Sequence, residues 1–127
     1  MLTDLPPSGA WAGYYLYAHS GSRHRMRLNL AFTIDGSIHG DGIDDIAAFV
    51  IEGRFDGARS AARWTKTYVG LHTVEYSGLY CQRVICGDWT LGAATGGFWI
   101  WPAGLEQSVE AQSEVGEPLQ VFESALR

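Results

Sequence analysis

Lys66, Tyr68, His72 and Tyr76 are the side chains best placed to do chemistry together. They lie in the stretch R-W-T-K-T-Y-V-G-L-H-T-V-E-Y-S-G-L-Y-C-Q-R-V-I-C-G-D-W, residues 63–89. Alternate residues of an extended chain share one face. Trp64, Lys66 and Tyr68 do so before Val69-Gly70-Leu71, and His72, Val74 and Tyr76 do so after it. A hairpin turn at those three residues, with Gly70 taking the positive φ, puts all six side chains on one wall of a sheet. An ammonium, an imidazole and two phenols on one wall can fix the polar or anionic end of a ligand. They can also run a reaction, with His72 as acid or base and Lys66 or a tyrosine stabilising developing negative charge. A buried Lys66 has a lowered pKa or a carboxylate partner, and Asp44 or Asp45 can supply that carboxylate. The plainer alternative is a polar plug in which buried hydroxyls and ring nitrogens satisfy one another.

Other chemistry-bearing residues point less far. Asp41, Asp44 and Asp45 lack the spacing and distal Glu of a calcium loop and read as turn residues. His19, His24 and His39 have no metal-ligand spacing. Cys81 and Cys86 form no C-x-x-C, and a disulfide between them inside one hairpin is awkward in geometry, so both read as free thiols. Ser20, Ser22 and Ser77 stand in no nucleophile elbow, and neither a phosphate loop nor a dinucleotide fingerprint is present. No metal and no cofactor is expected.

The elements that must carry the cluster are strands. Met26, Leu28, Leu30, Phe32 and Ile34 alternate with Arg25, Arg27, Asn29, Ala31 and Thr33, giving a strand with one dry face and one wet face. Before it, a strand from Trp11 to Ala18 is apolar on both faces, so both are covered. Asp35-Gly36 and Asp56-Gly57 are hairpin signals. The first leads to a short strand near Ser37–Gly40, followed by a bend at Gly40 and Gly42 with Asp41, Asp44 and Asp45 in the loop. Further strands are expected at 47–55, with Phe49, Ile51, Gly53 and Phe55 on one side, at 61–68, at 72–80 and at 83–91. Gly92–Gly97 reads as a loop and Phe98–Trp101 as the last strand, stopped by Pro102. Eight short strands with short connections imply an all-β antiparallel meander, and closing it into a barrel removes its two edges. An open β-sandwich is the alternative. A barrel of eight strands is filled by side chains or holds one small ligand.

The chain has 127 residues, enough for one core, with sixteen glycines and sixteen aromatics in keeping with many turns and strands. The expected division is a barrel domain, residues 1–102, and an appendage, residues 103–127, acting as lid, arm or frayed end. Net charge is about −1 over the first part and −4 over the second. A neutral body with an acidic tail does not suit a nucleic-acid surface. No apolar run reaches the ~18 residues of a membrane span. The start, M-L-T-D-L-P-P, has no basic n-region or apolar h-region, so no signal peptide is expected. Free thiols without a signal imply a reducing, cytoplasmic location.

Gly9-Ala10-Trp11, after a Pro-containing lead-in and at the head of the meander, resembles the G-x-W signature of the calycin barrels, the lipocalin and avidin relatives. The resemblance covers residues 9–101 in architecture and three positions in motif. It implies an up-and-down barrel whose floor Gly9 and Trp11 close. Lipocalins set a basic residue near the final strand against that Trp, and Phe98–Pro102 has none. With neither signal nor disulfides, the chain is most similar to intracellular lipocalin-like barrels, in some of which a histidine serves haem.

The function expected is an intracellular small-molecule binding barrel. Trp11, Tyr15, Met26, Leu28, Leu30, Phe49 and Ile51 would line it, and Lys66, Tyr68, His72 and Tyr76, with Asp44, would hold the ligand's polar end. An enzyme using His72 and Lys66 in the same cavity is the second reading. A ligand-free module is the third, assembling as a homo-oligomer through Trp99 and Trp101, which face away from Phe98 and Ile100, or through the tail; the tail covering those two tryptophans, or the inverse facing with Trp lining a pocket, are the other readings of that pair.

Overall fold

The structure, a computed structural model, describes residues 5–18 and 20–105. Eight strands close into a barrel in sequence order, each antiparallel to the next. They are β1 (Gly9–Tyr15), β2 (His24–Phe32), β3 (Ser37–Asp44), β4 (Ala48–Asp56), β5 (Ala61–Tyr68), β6 (Thr73–Cys81), β7 (Val84–Leu91) and β8 (Ala94–Pro102). A 3-10 turn, Ala103–Leu105, follows. The barrel closes by pairing β1 with β8, from Trp11↔Pro102 to Tyr15↔Phe98. The class expected from strand count and turn spacing is the one observed. No helix among the described residues is long and apolar enough to cross a membrane. The appendage beyond Leu105, and His19, lie outside the described residues.

Alternation decides which side chains fill the barrel. Met26, Leu28, Leu30 and Phe32 of β2 point inward, as do Phe49, Ile51 and Phe55 of β4 and Trp64, Lys66 and Tyr68 of β5. All of these but Lys66 join one continuous buried apolar cluster with Trp11, Tyr15, Ile38, Tyr76, Ile85, Trp89, Phe98 and Ile100. Rings from three strands meet across the interior: Trp64 lies 5.4 Å from Phe98, and Tyr76 lies 4.9 Å from Phe98 and stacks on Trp64 at 5.5 Å. At the closed end Trp11 packs on Phe32, Phe32 on Phe55 and Phe55 on Tyr80. The Trp11 indole N–H donates to the Pro7 carbonyl at 2.8 Å, which ties the lead-in across the floor.

Several boundaries differ from the reading of the sequence, and glycine is the common cause. β3 runs on to Asp44 instead of stopping near Gly40, so Asp41 and Asp44 are strand residues. Gly40 and Gly42 are inward positions where a side chain has no room. A Cβ at Gly42 would come within 2.3 Å of the Arg27 carbonyl and 2.7 Å of the Phe49 ring. β8 likewise begins at Ala94, so 94–97 is strand and not loop. There the Leu16 carbonyl lies across Gly96, 1.7 Å from where its Cβ would be. At the other extreme Ile34, the last apolar residue in the β2 pattern, is 91% exposed in the turn that Gly36 closes. β1 ends at Tyr15 rather than Ala18, although the Leu16 and Ala18 amides still bond to the Gly97 and Thr95 carbonyls. Gln82 and Arg83 both adopt positive φ between β6 and β7, a turn with no Asn-Gly or Asp-Gly to announce it.

Candidate functional site at the open end

β5 and β6 pair as the hairpin expected. Lys66 stands opposite Val74 and Trp64 opposite Tyr76. Gly70 takes φ +75°, and the Tyr68 amide bonds to the His72 carbonyl at 3.0 Å. Lys66, Tyr68 and Tyr76 therefore face the interior. His72 precedes β6, which starts at Thr73, so it sits exposed on the rim instead of on the inner wall. Its ring leans on that of Tyr68, with centroids 5.1 Å apart.

Lys66 is 1% exposed and enclosed by its own barrel. Its Nζ lies 2.8 Å from Asp44 Oδ2, a carboxylate with no exposed surface. The Tyr68 hydroxyl donates to the same oxygen at 2.6 Å. Four ring centroids surround the ammonium: Tyr15, Phe49 and Tyr68 at 4.8 Å and Tyr76 at 4.9 Å. Met26 Sδ stands 3.6 Å away. An ammonium over ring faces gains cation–π attraction that grows as water is excluded. Burial pulls the Lys66 pKa below its ordinary value, and the bond and charge of Asp44 oppose that shift. Burial also raises the phenols of Tyr15, Tyr68 and Tyr76, with hydrogen bonds to Asp45 and Asp44 adding to the first two.

A second polar set holds the rim. The Tyr15 hydroxyl donates to Asp45 Oδ1 at 2.7 Å, and His24 Nδ1 lies 2.6 Å from Asp45 Oδ2. The His24 and Tyr15 rings stack at 4.7 Å. Partial burial works against ionisation of Asp45, but the bonds from His24 and Tyr15 outweigh it and hold the carboxyl below its usual value. Asp44 and Asp45 are neighbours in sequence with opposite tasks, because alternation sends one inside and leaves the other beside the turn.

Above the cage lies a cup of about 50 Å³, walled by Tyr15, Tyr17, Tyr68, His72, Tyr76 and Trp89 and edged by Ile46, Val74, Leu91 and Ala94. Tyr17 meets Trp89 edge to face at 5.2 Å. Much of the cup's polar capacity is already engaged: the Tyr15 and Tyr68 hydroxyls bond to the two aspartates, and the Trp89 N–H to the Leu16 carbonyl at 2.8 Å. Ring faces are engaged too, since Tyr15 stacks on His24 and Tyr76 on Trp64. What remains toward solvent is mostly ring edge and hydrocarbon.

The residues singled out in the sequence thus divide. Lys66 and Asp44 lie in the cage, Tyr15, Tyr68 and Tyr76 belong to both cage and cup, and His72 is on the rim alone. Trp11 is at the opposite, closed end, packed on Phe32. Asp45, weighed with Asp44 as the partner of Lys66, instead binds Tyr15 and His24, and His24, read only as lacking metal-ligand spacing, belongs to this set. Tyr17 in the cup wall was not singled out; its signal was the parity it shares with Tyr15. Among the described residues, no group of three or more His, Cys, Asp and Glu could hold a metal ion. Compared with family models, curated proteins and solved structures, the chain matches none.

Proposed function

We propose that the barrel is a binding module that takes an apolar group of a small molecule at its open end. The observation that carries this reading is a hydrocarbon-edged cup, its Tyr15, Tyr68 and Trp89 polar atoms already bonded, beside exposed Ile46, Val69, Leu71 and Leu91. Pockets of this sort use apolar area for affinity and a few polar groups for orientation. Burying one aliphatic group gives roughly 1.5–3 kcal/mol, so the cup selects and the rim must add area. His72 is the polar group available to a ligand at the rim. Lys66 and Asp44 act on this reading as fixed framework, holding the tyrosine rings at a set angle. The enzyme alternative loses one of its two groups, because the Lys66 ammonium is sealed from the cup by the rings around it. The barrel is closest in kind to the calycins on this reading, and the free Cys81 and Cys86 thiols suit a reducing, cytoplasmic setting.

N-phenyl-1-naphthylamine, a neutral fluorescent probe, tests the proposal. The protein should enhance its fluorescence saturably. Ala94→Trp, at an exposed position on the cup's edge, should weaken that binding about tenfold, the effect of losing ~1.4 kcal/mol. Native mass spectrometry of freshly purified protein would report any bound molecule directly. Absence of saturable binding, or equal affinity in Ala94→Trp, would overturn the reading.

A further inference from the structure

Four rings in the wall of the cup have their polar hydrogens committed away from a ligand. The Tyr15 hydroxyl donates to Asp45 at 2.7 Å, the Tyr68 hydroxyl to Asp44 at 2.6 Å and the Trp89 indole N–H to the Leu16 carbonyl at 2.8 Å. The Tyr76 hydroxyl turns to the Met26 sulfur at 3.9 Å. A phenol whose proton is engaged in this way has only oxygen lone pairs left, so it can accept and not donate. No Lys or Arg stands among the described residues of the wall, and the Lys66 ammonium below it is 1% exposed. A ligand anion seated here gains no cation and none of those four protons.

The charge at the mouth has the opposite sign. Inside, Lys66 and Asp44 offset each other at 2.8 Å. Asp45 is bonded instead to a phenol and an imidazole, neither of them an obligate cation, and its side chain is 49% exposed. It precedes Ile46 on the cup's edge, and the Tyr15 ring to which it bonds is part of the wall. Each carboxylate oxygen carries a second lone pair, so both can take a further N–H.

We infer that the ligand of the cup is an alkyl or aralkyl amine, with its hydrocarbon among the rings and its ammonium at the rim against Asp45. This rests on the binding proposed above and adds the ligand's polar end to it. An ammonium brings donors and no acceptor to a rim that offers acceptors. It also keeps a carboxylate beside it as it leaves water, which lowers the cost of its desolvation. His72, exposed on the same rim, adds a nitrogen lone pair when its ring is neutral. A fatty acid or an organic phosphate of equal length has the wrong charge and the wrong hydrogen-bonding sense for this mouth.

Displacement of N-phenyl-1-naphthylamine from the full-length protein at pH 8 tests this with three competitors of one chain length: hexylamine, 1-hexanol and hexanoate. At that pH an alkylamine is charged and an ordinary imidazole is not. A unit charge roughly 7 Å from a carboxylate in largely aqueous surroundings changes affinity about fourfold. Hexylamine should therefore displace the probe at about a quarter of the hexanol concentration, and hexanoate should need about four times more than hexanol. Asp45→Asn should bring the amine and the alcohol together. Glu75→Gln, an equal loss of charge on the outward side of β6, should leave them apart. Saturable probe binding with hexanoate as good a competitor as hexylamine would overturn the inference and leave the apolar cup standing. So would an amine preference that survives Asp45→Asn, or one that Glu75→Gln removes equally. A probe that does not bind at all would remove both readings. Should Asp45→Asn fail to fold, the order of the three competitors on the parent protein still decides.

Discussion

Lys66→Met is the substitution on which the account of the cage stands or falls. Methionine keeps most of the lysine stem's volume and removes the charge. At 2.8 Å, two unit charges attract by roughly 6 kcal/mol at an effective dielectric of about 20. Most of that attraction offsets the desolvation of both groups, so the pair's net contribution is small. Removing one partner is another matter. It leaves the Asp44 carboxylate with no exposed surface and the Tyr68 hydroxyl still donating, a situation that costs ~3–5 kcal/mol. Loss of the four ring contacts acts in the same direction. With a urea slope of about 2 kcal/mol/M, the unfolding midpoint should fall by roughly 1.5–2.5 M at an unchanged slope. The double variant Asp44→Leu/Lys66→Met separates a broken pair from a spoiled core. It should lie within ~1 kcal/mol of the parent or above it, and so be several kcal/mol less destabilised than the sum of its two single variants. A single variant that loses less than ~1 kcal/mol, or a double variant as unstable as the single one, would refute the reasoning.

Three further outcomes are expected. The phenols of Tyr15, Tyr68 and Tyr76, raised above the ordinary 10.0, keep protons in the folded state that the unfolded chain releases, so their support is full below pH 10 and lost above it. Phenolate absorbance should show these three ionising together with unfolding, and smooth titration of all six tyrosines before the fold is lost would contradict this. Gly42→Ala should lose ~1–3 kcal/mol in urea melts, since its Cβ meets the Arg27 carbonyl at 2.3 Å, whereas Gly97→Ala, 3.6 Å from its nearest neighbour, should change stability little. Asp45, held below its ordinary 3.8, supports the fold above that pH and loses the support as pH falls through the folded value. Asp45→Asn should therefore flatten the acid limb of a melting-temperature profile below about pH 4, and an unaltered limb would count against the His24–Asp45–Tyr15 set.

The barrel was legible because its signal is redundant. Five alternating positions in β2, hairpin residues at Asp35-Gly36 and Asp56-Gly57, and the Lys66–Tyr76 parity all point the same way. β3 and β8 were misread at one end each because their inner positions are glycines, which carry no hydropathy for a pattern to show. Their reason for being glycine is a carbonyl or ring from the neighbouring strand or connection, information that resides in the partner and not in the segment. For the site, Lys66 and a nearby Asp were visible as types needing each other. The caging rings were not, since Phe49 comes from the neighbouring strand β4 and Tyr15 on β1 reaches the ammonium only once the sheet has closed.

The closed sheet also explains why a charge lies inside at all. Stability does not require it, because a hydrophobic pair of equal volume would serve as well. What an apolar pair cannot do is set orientation. The ammonium holds the faces of Tyr15, Tyr68 and Tyr76 around one point, and Asp44 and Asp45 fix the hydroxyls of Tyr68 and Tyr15 in space. The same three rings are the lower wall of the cup. On the proposal made above, the buried charge positions the binding surface from beneath. The double variant Asp44→Leu/Lys66→Met should then bind N-phenyl-1-naphthylamine less tightly than the parent. Equal affinity would leave the cage a matter of folding alone.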